Sequence, residues 1–297
     1  MPIYEKNIFA IIGRSAAVFT KGAKYMAAIT VLTFLPVFIF QMFLPAQNAA
    51  AFYALVAEWT DAIIAGADSN ALMALVTQPV FHGAADYVTM RLGIFLIFFP
   101  LSVAAATYIA KMAADGAAAT FDGMLSAVMP RFPKLVVTLF VAALFIYLPL
   151  SFGGIFLVIL AIYFGTGMIF HLQIVTDLGN WGLRALGLSR QMLRGRWFRV
   201  FFGAGTLLIL YAAAFGVLDS LGSLLGAPDN VFVALPMFLI THFLLSFFAV
   251  VVSVWYFEIK RVNILIAKEF ERQFKEHFEN FNPFGPFEKK EDDKKDE

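Results

Sequence analysis

A cluster of basic residues is the part of the sequence most suggestive of chemistry. Residues 189–202, SRQMLRGRWFRVFF, carry four arginines within ten positions and run directly into apolar sequence. Guanidinium groups can bind phosphate through paired N–H···O contacts, so the cluster could hold a phosphate-bearing partner. Arginines at the end of an apolar helix can equally anchor that helix at a membrane surface, with their stems in the acyl region. Which role applies depends on the helices around the cluster.

Three polar side chains fall inside apolar stretches and form a possible intramembrane site. His171 and Gln173 lie two residues apart and therefore on different faces of a helix. His242 lies in the last apolar stretch. A histidine at such a depth most often hydrogen-bonds to a neighbouring helix, and a proton-relay or ligand role is the alternative.

Motifs for metal binding, cofactor binding and catalysis are missing from the sequence. With four histidines and no His-Glu-x-x-His pattern, we expect no metal site. A phosphate-binding glycine loop, a dinucleotide fingerprint and a Gly-x-Ser-x-Gly motif are also lacking. We therefore expect no cofactor and no enzymatic activity.

A phenylalanine stripe follows the last apolar stretch. Phe270, Phe274 and Phe278 recur every four residues, with charged residues elsewhere around the helix. This pattern predicts an amphipathic cytoplasmic helix that lies on the bilayer or on the protein's own helices, and docking of a soluble partner is the alternative. The charged sequence EKKEDDKKDE then predicts a disordered tail. We divide the chain into a membrane domain, 1–268, and a cytoplasmic extension, 269–297.

The composition indicates an integral membrane protein. The chain is 61% hydrophobic and 14% charged, with a mean hydropathy of +0.79, whereas soluble domains are about 45–50% apolar. Apolar blocks of about 20 residues are long enough to cross the hydrocarbon core as helices. The predicted fold is an all-α polytopic membrane bundle whose six transmembrane helices lie near 25–45, 90–113, 134–150, 154–175, 200–222 and 233–258.

The distribution of lysine and arginine predicts the orientation of these spans. Basic residues flank the predicted inner ends, and only Arg91 falls on the outer side. The positive-inside rule then places both termini and the basic loops in the cytoplasm. On the outer side, residues 46–89 form a long connection that contains an amphipathic helix. This helix lies on the membrane surface or, alternatively, forms a lid.

Self-comparison indicates three repeated units. Stretches starting at Phe9, Phe121 and Trp181 each contain a serine, then a cation five or six residues later, and then a transmembrane hairpin. The pattern predicts three in-plane cytoplasmic amphipathic helices, each followed by two spans, and a long final helix. Cations at anionic headgroups add roughly 1 kcal/mol each. The predicted contacts to anionic lipid headgroups are Lys21, Lys24, Arg131, Lys134, Arg184, Arg190, Arg194, Arg196 and Arg199.

Two segments, IFAIIGRSAAVFTKGAKYMAAITVLTFLPVFIF and IVTDLGNWGLRALGLSRQMLRGRWFRVFF, resemble the YciC-like six-helix bacterial membrane proteins. They are similar as well to the membrane domain attached to some glycerophosphodiester phosphodiesterases. The resemblance covers about residues 5–265. It implies a multi-pass protein of a bacterial inner membrane and a domain without established catalytic residues. The positions that carry it after the fourth span are Asp177, Gly179, Ala185, Ser189, Gly195, Arg196, Trp197 and Arg199.

Two functions are consistent with these patterns. The first is a non-enzymatic membrane protein in envelope or lipid homeostasis, which binds anionic phospholipid or a membrane or cytoplasmic partner. The alternative is a transporter or permease subunit for a small or lipid-like substrate, with His171, Gln173 and His242 along its pathway. Nothing in the pattern of charges predicts a nucleic-acid partner.

Overall fold

The computed structural model describes residues 7–42, 46–66, 79–151, 155–226 and 230–279. Within these residues the chain forms α-helices and turns, with a 3₁₀ turn at Met129–Arg131, and contains no strand. Numbered in chain order, the helices are α1 Ile8–Met42, α2 Ala46–Ile64, α3 Pro79–Ala114, α4 Phe121–Val128, α5 Phe132–Ser151, α6 Ile155–Gly167, α7 His171–Leu178, α8 Leu183–Met192, α9 Trp197–Leu224 and α10 Val231–Glu279.

The described part of the chain contains six helical segments that are long and apolar enough to cross a membrane. The predicted all-α polytopic bundle with six spans is therefore confirmed, and so is a long final helix, since α10 has 49 residues. The candidate spans are Ile8–Ile39, Leu96–Ala114, Phe121–Ile146, Leu157–Leu178, Trp197–Leu224 and Val231–Gln273.

Helices α1, α3 and α10 pack together as the centre of the bundle. Small hydroxyl side chains join them: the Ser246 hydroxyl lies 2.9 Å from the Thr30 hydroxyl and 3.0 Å from that of Ser102. One and a half turns nearer the end of α3, the hydroxyls of Thr107 and Ser253 lie 3.1 Å apart. Small polar residues of this kind let apolar helices approach closely and hydrogen-bond across the contact.

Two of the three predicted repeat units have a short helix that is separate from the span. In the second, Pro130 occupies the 3₁₀ turn between α4 and α5. In the third, Gly195 has a φ of +78° in the turn between α8 and α9, a conformation that favours glycine. The first unit differs, because α1 runs without a break from Ile8 to Met42. This unit has neither a proline nor a positive-φ glycine at the corresponding place.

The fourth predicted span, 154–175, is divided into two helices. α6 ends at Gly167 and α7 begins at His171. At 1.5 Å per residue, the 13 residues of α6 extend for about 20 Å, less than the roughly 30 Å of a hydrocarbon core. The low helix propensity of glycine at positions 165 and 167 favours a break here. Residues 172–176 of α7 are buried, and the helix packs against α3, α5 and α8.

The predicted outer connection, 46–89, also differs in extent. Its expected helix is present as α2, but α3 begins at Pro79 and so takes in the last part of the predicted loop. α2 packs against α3, forming a helical hairpin with it. Of the cytoplasmic extension, the structure describes the helix as far as Glu279, and the predicted disordered tail lies outside the described residues.

Candidate functional site

A cavity of about 650 Å³ lies between α5, α6, α8 and the start of α9. Ligand pockets commonly measure about 300–1,000 Å³. Its wall is largely aromatic and aliphatic, with Phe145, Phe164 and Leu186 among the lining residues, and two arginines, Arg190 and Arg194, line it as well. We refer to it as the arginine cavity. Its combination of apolar wall and fixed positive charge is what an amphiphile with an anionic head requires.

The Arg190 side chain is held in place by Tyr163 of α6. Its Nη2 donates a hydrogen bond of 2.8 Å to the Tyr163 hydroxyl, and its guanidinium carbon lies 5.3 Å from the centre of the tyrosine ring. A cation over an aromatic face is attracted to the ring quadrupole. These contacts with Tyr163 fix the position of the guanidinium group. Because a guanidinium has five N–H donors, further donors remain for an anion.

The turn that carries Arg194 is attached to α10. Leu193 is buried in the main hydrophobic core. Arg196 donates through Nη1 to the Asn263 side-chain oxygen, and the Asn263 side-chain nitrogen lies 3.4 Å from the Met192 carbonyl oxygen. Arg196 therefore tethers the turn to α10 and is not among the residues that line the arginine cavity.

Trp197, the first residue of α9, lines the cavity and forms its aromatic rim on this helix. The Trp197 indole nitrogen donates to the Tyr163 carbonyl oxygen at 3.4 Å. Its ring stacks on that of Phe201, with 5.2 Å between centroids and an interplanar angle of 7°. Tryptophan is favoured at membrane–water interfaces because its ring is apolar and its N–H is polar. The rim is thus suited to the boundary between headgroups and acyl chains.

Ser189 joins α8 to the break between α6 and α7. Its hydroxyl donates to the Gly167 carbonyl oxygen at 2.9 Å and accepts from the Phe170 backbone N–H at 3.2 Å. At the other end of α8, Gly182 has a φ of +60° and its N–H donates to the Thr138 hydroxyl at 2.8 Å. Both ends of α8 are therefore fixed to neighbouring helices, which positions its arginines.

The remaining predicted headgroup contacts have several environments. Arg131 donates to the Thr176 carbonyl oxygen, so it caps the C-terminal end of α7, where a cation is favoured. Lys24 lies over the ring of its neighbour Tyr25, with 4.9 Å from Nζ to the ring centre. Exposed side chains are found at Lys21, Lys24, Lys134, Arg184 and Arg199.

The three residues of the predicted intramembrane site have separate environments. His171 Nδ1 lies 2.5 Å from the Met168 carbonyl oxygen, beside the helix break. The rings of Phe34 and Phe238 contact that of His242, at 4.3 and 3.9 Å between centroids. His171 Nε2 and Gln173 Oε1 are buried and have no hydrogen-bond partner among the described residues.

The predicted partner-docking face is described only in part. Phe270 is 69% exposed. The side chains of Phe274 and Phe278 lie outside the described residues. The phenylalanine stripe therefore remains a prediction.

Sequence reasoning missed an ion-pair cluster that joins several helices. The Asp177 carboxylate, 2% exposed, accepts from Lys111 Nζ at 2.9 Å, from the Tyr256 hydroxyl at 2.9 Å and from Lys260. A second buried carboxylate, Glu258, accepts from Arg261 at 2.7 Å and lies 3.4 Å from Arg14. Glu258 and Arg261 lie about one turn apart on α10, and this spacing was the one sequence signal of an ion pair. The other pairs join residues that are distant in the sequence.

No protein-family model, curated protein or solved structure matches this chain. Among the described residues, no group of three or more histidine, cysteine, aspartate or glutamate side chains could hold a metal ion.

Proposed function

We propose that the protein binds an anionic phospholipid in the arginine cavity, as a membrane protein that acts by binding and not by catalysis. The observation that carries this proposal is the arrangement of the cavity, in which Arg190 and Arg194 share one space with a wall of aromatic and aliphatic side chains. A phosphate group would accept hydrogen bonds from the guanidinium groups, and an acyl chain would displace water from the apolar wall.

The aromatic part of the wall supports an amphiphile over a small soluble anion. The Phe145 ring packs against that of Phe164, with 5.8 Å between centroids. Phe164 adjoins Tyr163, which holds Arg190. An apolar surface therefore lies directly beside the guanidinium group, where an acyl chain attached to an anionic head would contact it.

The proposal includes an orientation and a biological setting. The basic flanks of the spans support cytoplasmic termini, the resemblance to bacterial membrane proteins supports a bacterial inner membrane, and lipid binding supports a role in envelope or lipid homeostasis. The resemblance to YciC-like proteins belongs to the same proposal. The chain contains no cysteine, so single cysteines introduced at Lys268 and Ser223 test the orientation. In intact cells an impermeant maleimide should label the Ser223 position alone.

A transporter function is the second candidate, because the fourth span is discontinuous. Broken helices line the substrate sites of many transporters, and buried His171 and Gln173 each have a side-chain atom without a partner among the described residues. Against a pathway through the central helices, the hydroxyls of α1, α3 and α10 hydrogen-bond to each other across the helix contacts and so hold these helices together. Substrate flux in proteoliposomes that disappears in His171→Ala and persists in Arg190→Ala would favour transport.

Lipid retention tests the proposed function. The full-length protein is reconstituted with phosphatidylglycerol and phosphatidylcholine, released into detergent, and analysed for bound lipid by native mass spectrometry. The wild type should retain phosphatidylglycerol preferentially, and Arg190→Ala/Arg194→Ala should lower its retention about tenfold. Arg184→Ala, an exposed arginine on the same helix outside the cavity, is the control. Equal retention by all three proteins would contradict the proposal.

A further inference from the structure

Two further cavities adjoin each other and share no lining residue with the arginine cavity. One, of about 410 Å³, is lined by α1, α3, α10 and the end of α7. The other, of about 530 Å³, lies between α1, α3 and the turn that follows α3. Arg14, Val18 and Ala113 line both. We call the combined space the vestibule.

The vestibule has an excess of positive charge. Its carboxylates are Asp115, Asp177 and Glu258. Six cations against three carboxylates leave three positive charges in excess, on a protein whose formal net charge is +1. The cations that line it are Arg14, Lys21, Lys24, Lys111, Lys260 and Arg261.

Buried carboxylates support four of these cations from behind. Asp177 and Glu258 have side chains 2–3% exposed, whereas the cations that bind them are 32–54% exposed. Asp177 accepts from Lys111 and Lys260, and Glu258 interacts with Arg14 and Arg261. This arrangement fixes the positions of the cationic groups and turns their other donors towards the open space.

The donors of the cations exceed what the buried carboxylates can accept. An ammonium has three N–H donors and a guanidinium has five. Arg14 approaches Glu258 with one nitrogen, at 3.4 Å, and Lys111 approaches Asp177 at 2.9 Å. Lys21 and Lys24 make no ion pair among the described residues. A multiply charged oxyanion would accept from several of these groups at once, because its oxygens diverge from one centre.

We propose that the vestibule is a second anion site, which binds a terminal phosphate group, either on a lipid headgroup or on a free phosphate compound. It differs from the arginine cavity in its lining. Alanines form much of the turn side of the vestibule, at positions 113 and 117–119, whereas aromatic rings line the arginine cavity. The vestibule therefore suits a compact, highly charged group, and a phosphate monoester or diphosphate carries more charge than a phosphodiester.

Binding of two probes to the full-length protein distinguishes the sources of phosphate. Radiolabelled pyrophosphate is measured by equilibrium dialysis in a neutral detergent, and retention of phosphatidic acid over phosphatidylcholine is measured by native mass spectrometry from nanodiscs. Saturable pyrophosphate binding identifies a free phosphate compound as the source. Selective retention of phosphatidic acid without pyrophosphate binding identifies a headgroup. If neither probe binds selectively, the proposal is wrong.

Variants locate the bound probe. Lys21→Gln/Lys24→Gln should weaken binding of the active probe by about tenfold or more, and both side chains are exposed, so the change should not disturb folding. Arg14→Gln is a second variant at the junction of the two cavities. Lys134→Gln, exposed on α5 and outside the vestibule, is the control. Unchanged binding in the double variant and in Arg14→Gln overturns the site. Because the arginine cavity would also retain an anionic phospholipid, both probes are measured in the Arg190→Ala/Arg194→Ala background as well. Binding that persists in that background and is lost on adding Lys21→Gln/Lys24→Gln belongs to the vestibule, and binding that disappears in that background overturns the site.

Discussion

The Ser189 hydroxyl donates to the Gly167 carbonyl oxygen at 2.9 Å, so a side chain of α8 satisfies a backbone group at the end of α6. The same hydroxyl accepts from the Phe170 N–H. An unsatisfied backbone group is costly in a membrane, where water is scarce. One serine thus stabilises the break in the fourth span and fixes the helix that carries Arg190.

We predict that Ser189→Ala destabilises the protein by about 1–3 kcal/mol, because it leaves two buried backbone groups without their partner. Thermal unfolding in detergent, followed by circular dichroism, measures the loss. Ser126→Ala is the matched control: Ser126 is exposed, and its hydroxyl donates to Gly123 within its own short helix. An equal effect of the two substitutions would show that the bridge to Gly167 contributes nothing specific.

Asp177→Asn should destabilise the fold, because Lys111 and Lys260 lose the carboxylate with which they pair. Removing one member of a buried ion pair costs about 3–5 kcal/mol when the remaining charge stays buried. Both lysines are partly exposed, at 41% and 32% of the side chain, and can turn towards water, so we expect about 2 kcal/mol. Unfolding of Asp115→Asn, an exposed carboxylate, should match the wild type. A melting temperature unchanged in both variants would contradict the role of Asp177.

The contact between α9 and α10 depends on Gly203. A Cβ atom there would lie 2.5 Å from Trp255 Cη2, closer than real contacts allow. Gly203→Ala should therefore destabilise the protein by about 1–3 kcal/mol through overpacking. Gly205→Ala, where a Cβ meets no atom within 4 Å, should be neutral or stabilising by up to about 1 kcal/mol, because alanine favours the helix. Thermal unfolding of the two variants tests this prediction. A melting temperature lower for Gly205→Ala than for Gly203→Ala would contradict the packing of Gly203 against Trp255.

Filling the arginine cavity should block lipid retention without a change of charge. Gly187 lines the cavity, and a Cβ there meets no atom within 4 Å. Gly187→Trp should lower phosphatidylglycerol retention about tenfold while thermal unfolding stays near that of the wild type. Gly216→Trp places the same bulk on α9, outside the cavity. Lipid loss in the Gly216 variant as great as in the Gly187 variant would show that bulk alone is responsible.

The six spans could be predicted from the sequence because each is a run of consecutive apolar residues, whose length can be counted without knowledge of the fold. The arginine cluster could also be recognised, but the separate roles of its members could not. Arg190 and Arg194 line a cavity, whereas Arg196 binds Asn263, 67 residues away. Such a partner depends on how α9 and α10 pack. The Asp177 cluster was missed for the same reason, since Lys111 and Lys260 come from helices that are adjacent only in the fold.

Helix breaks show a similar limit. Pro130 and Gly195 are local signals, and each coincides with a separation of a short helix from its span. The break after Gly167 has no proline, and it is stabilised by Ser189 from a different helix. A tertiary hydrogen bond of this kind leaves no periodic pattern in the sequence, so the span was predicted as continuous.

Photo-crosslinking of lipid tests the central claim most directly. Phosphatidylglycerol with a diazirine in one acyl chain is reconstituted with the full-length protein, irradiated, and mapped by peptide mass spectrometry. We predict that adducts concentrate on the wall of the arginine cavity, at Phe145, Phe164 and Leu186, and that unlabelled phosphatidylglycerol competes for them whereas phosphatidylcholine does not. Adducts spread over exposed apolar residues such as Leu208 and Ile209 of α9, with no competition by headgroup, would contradict the account.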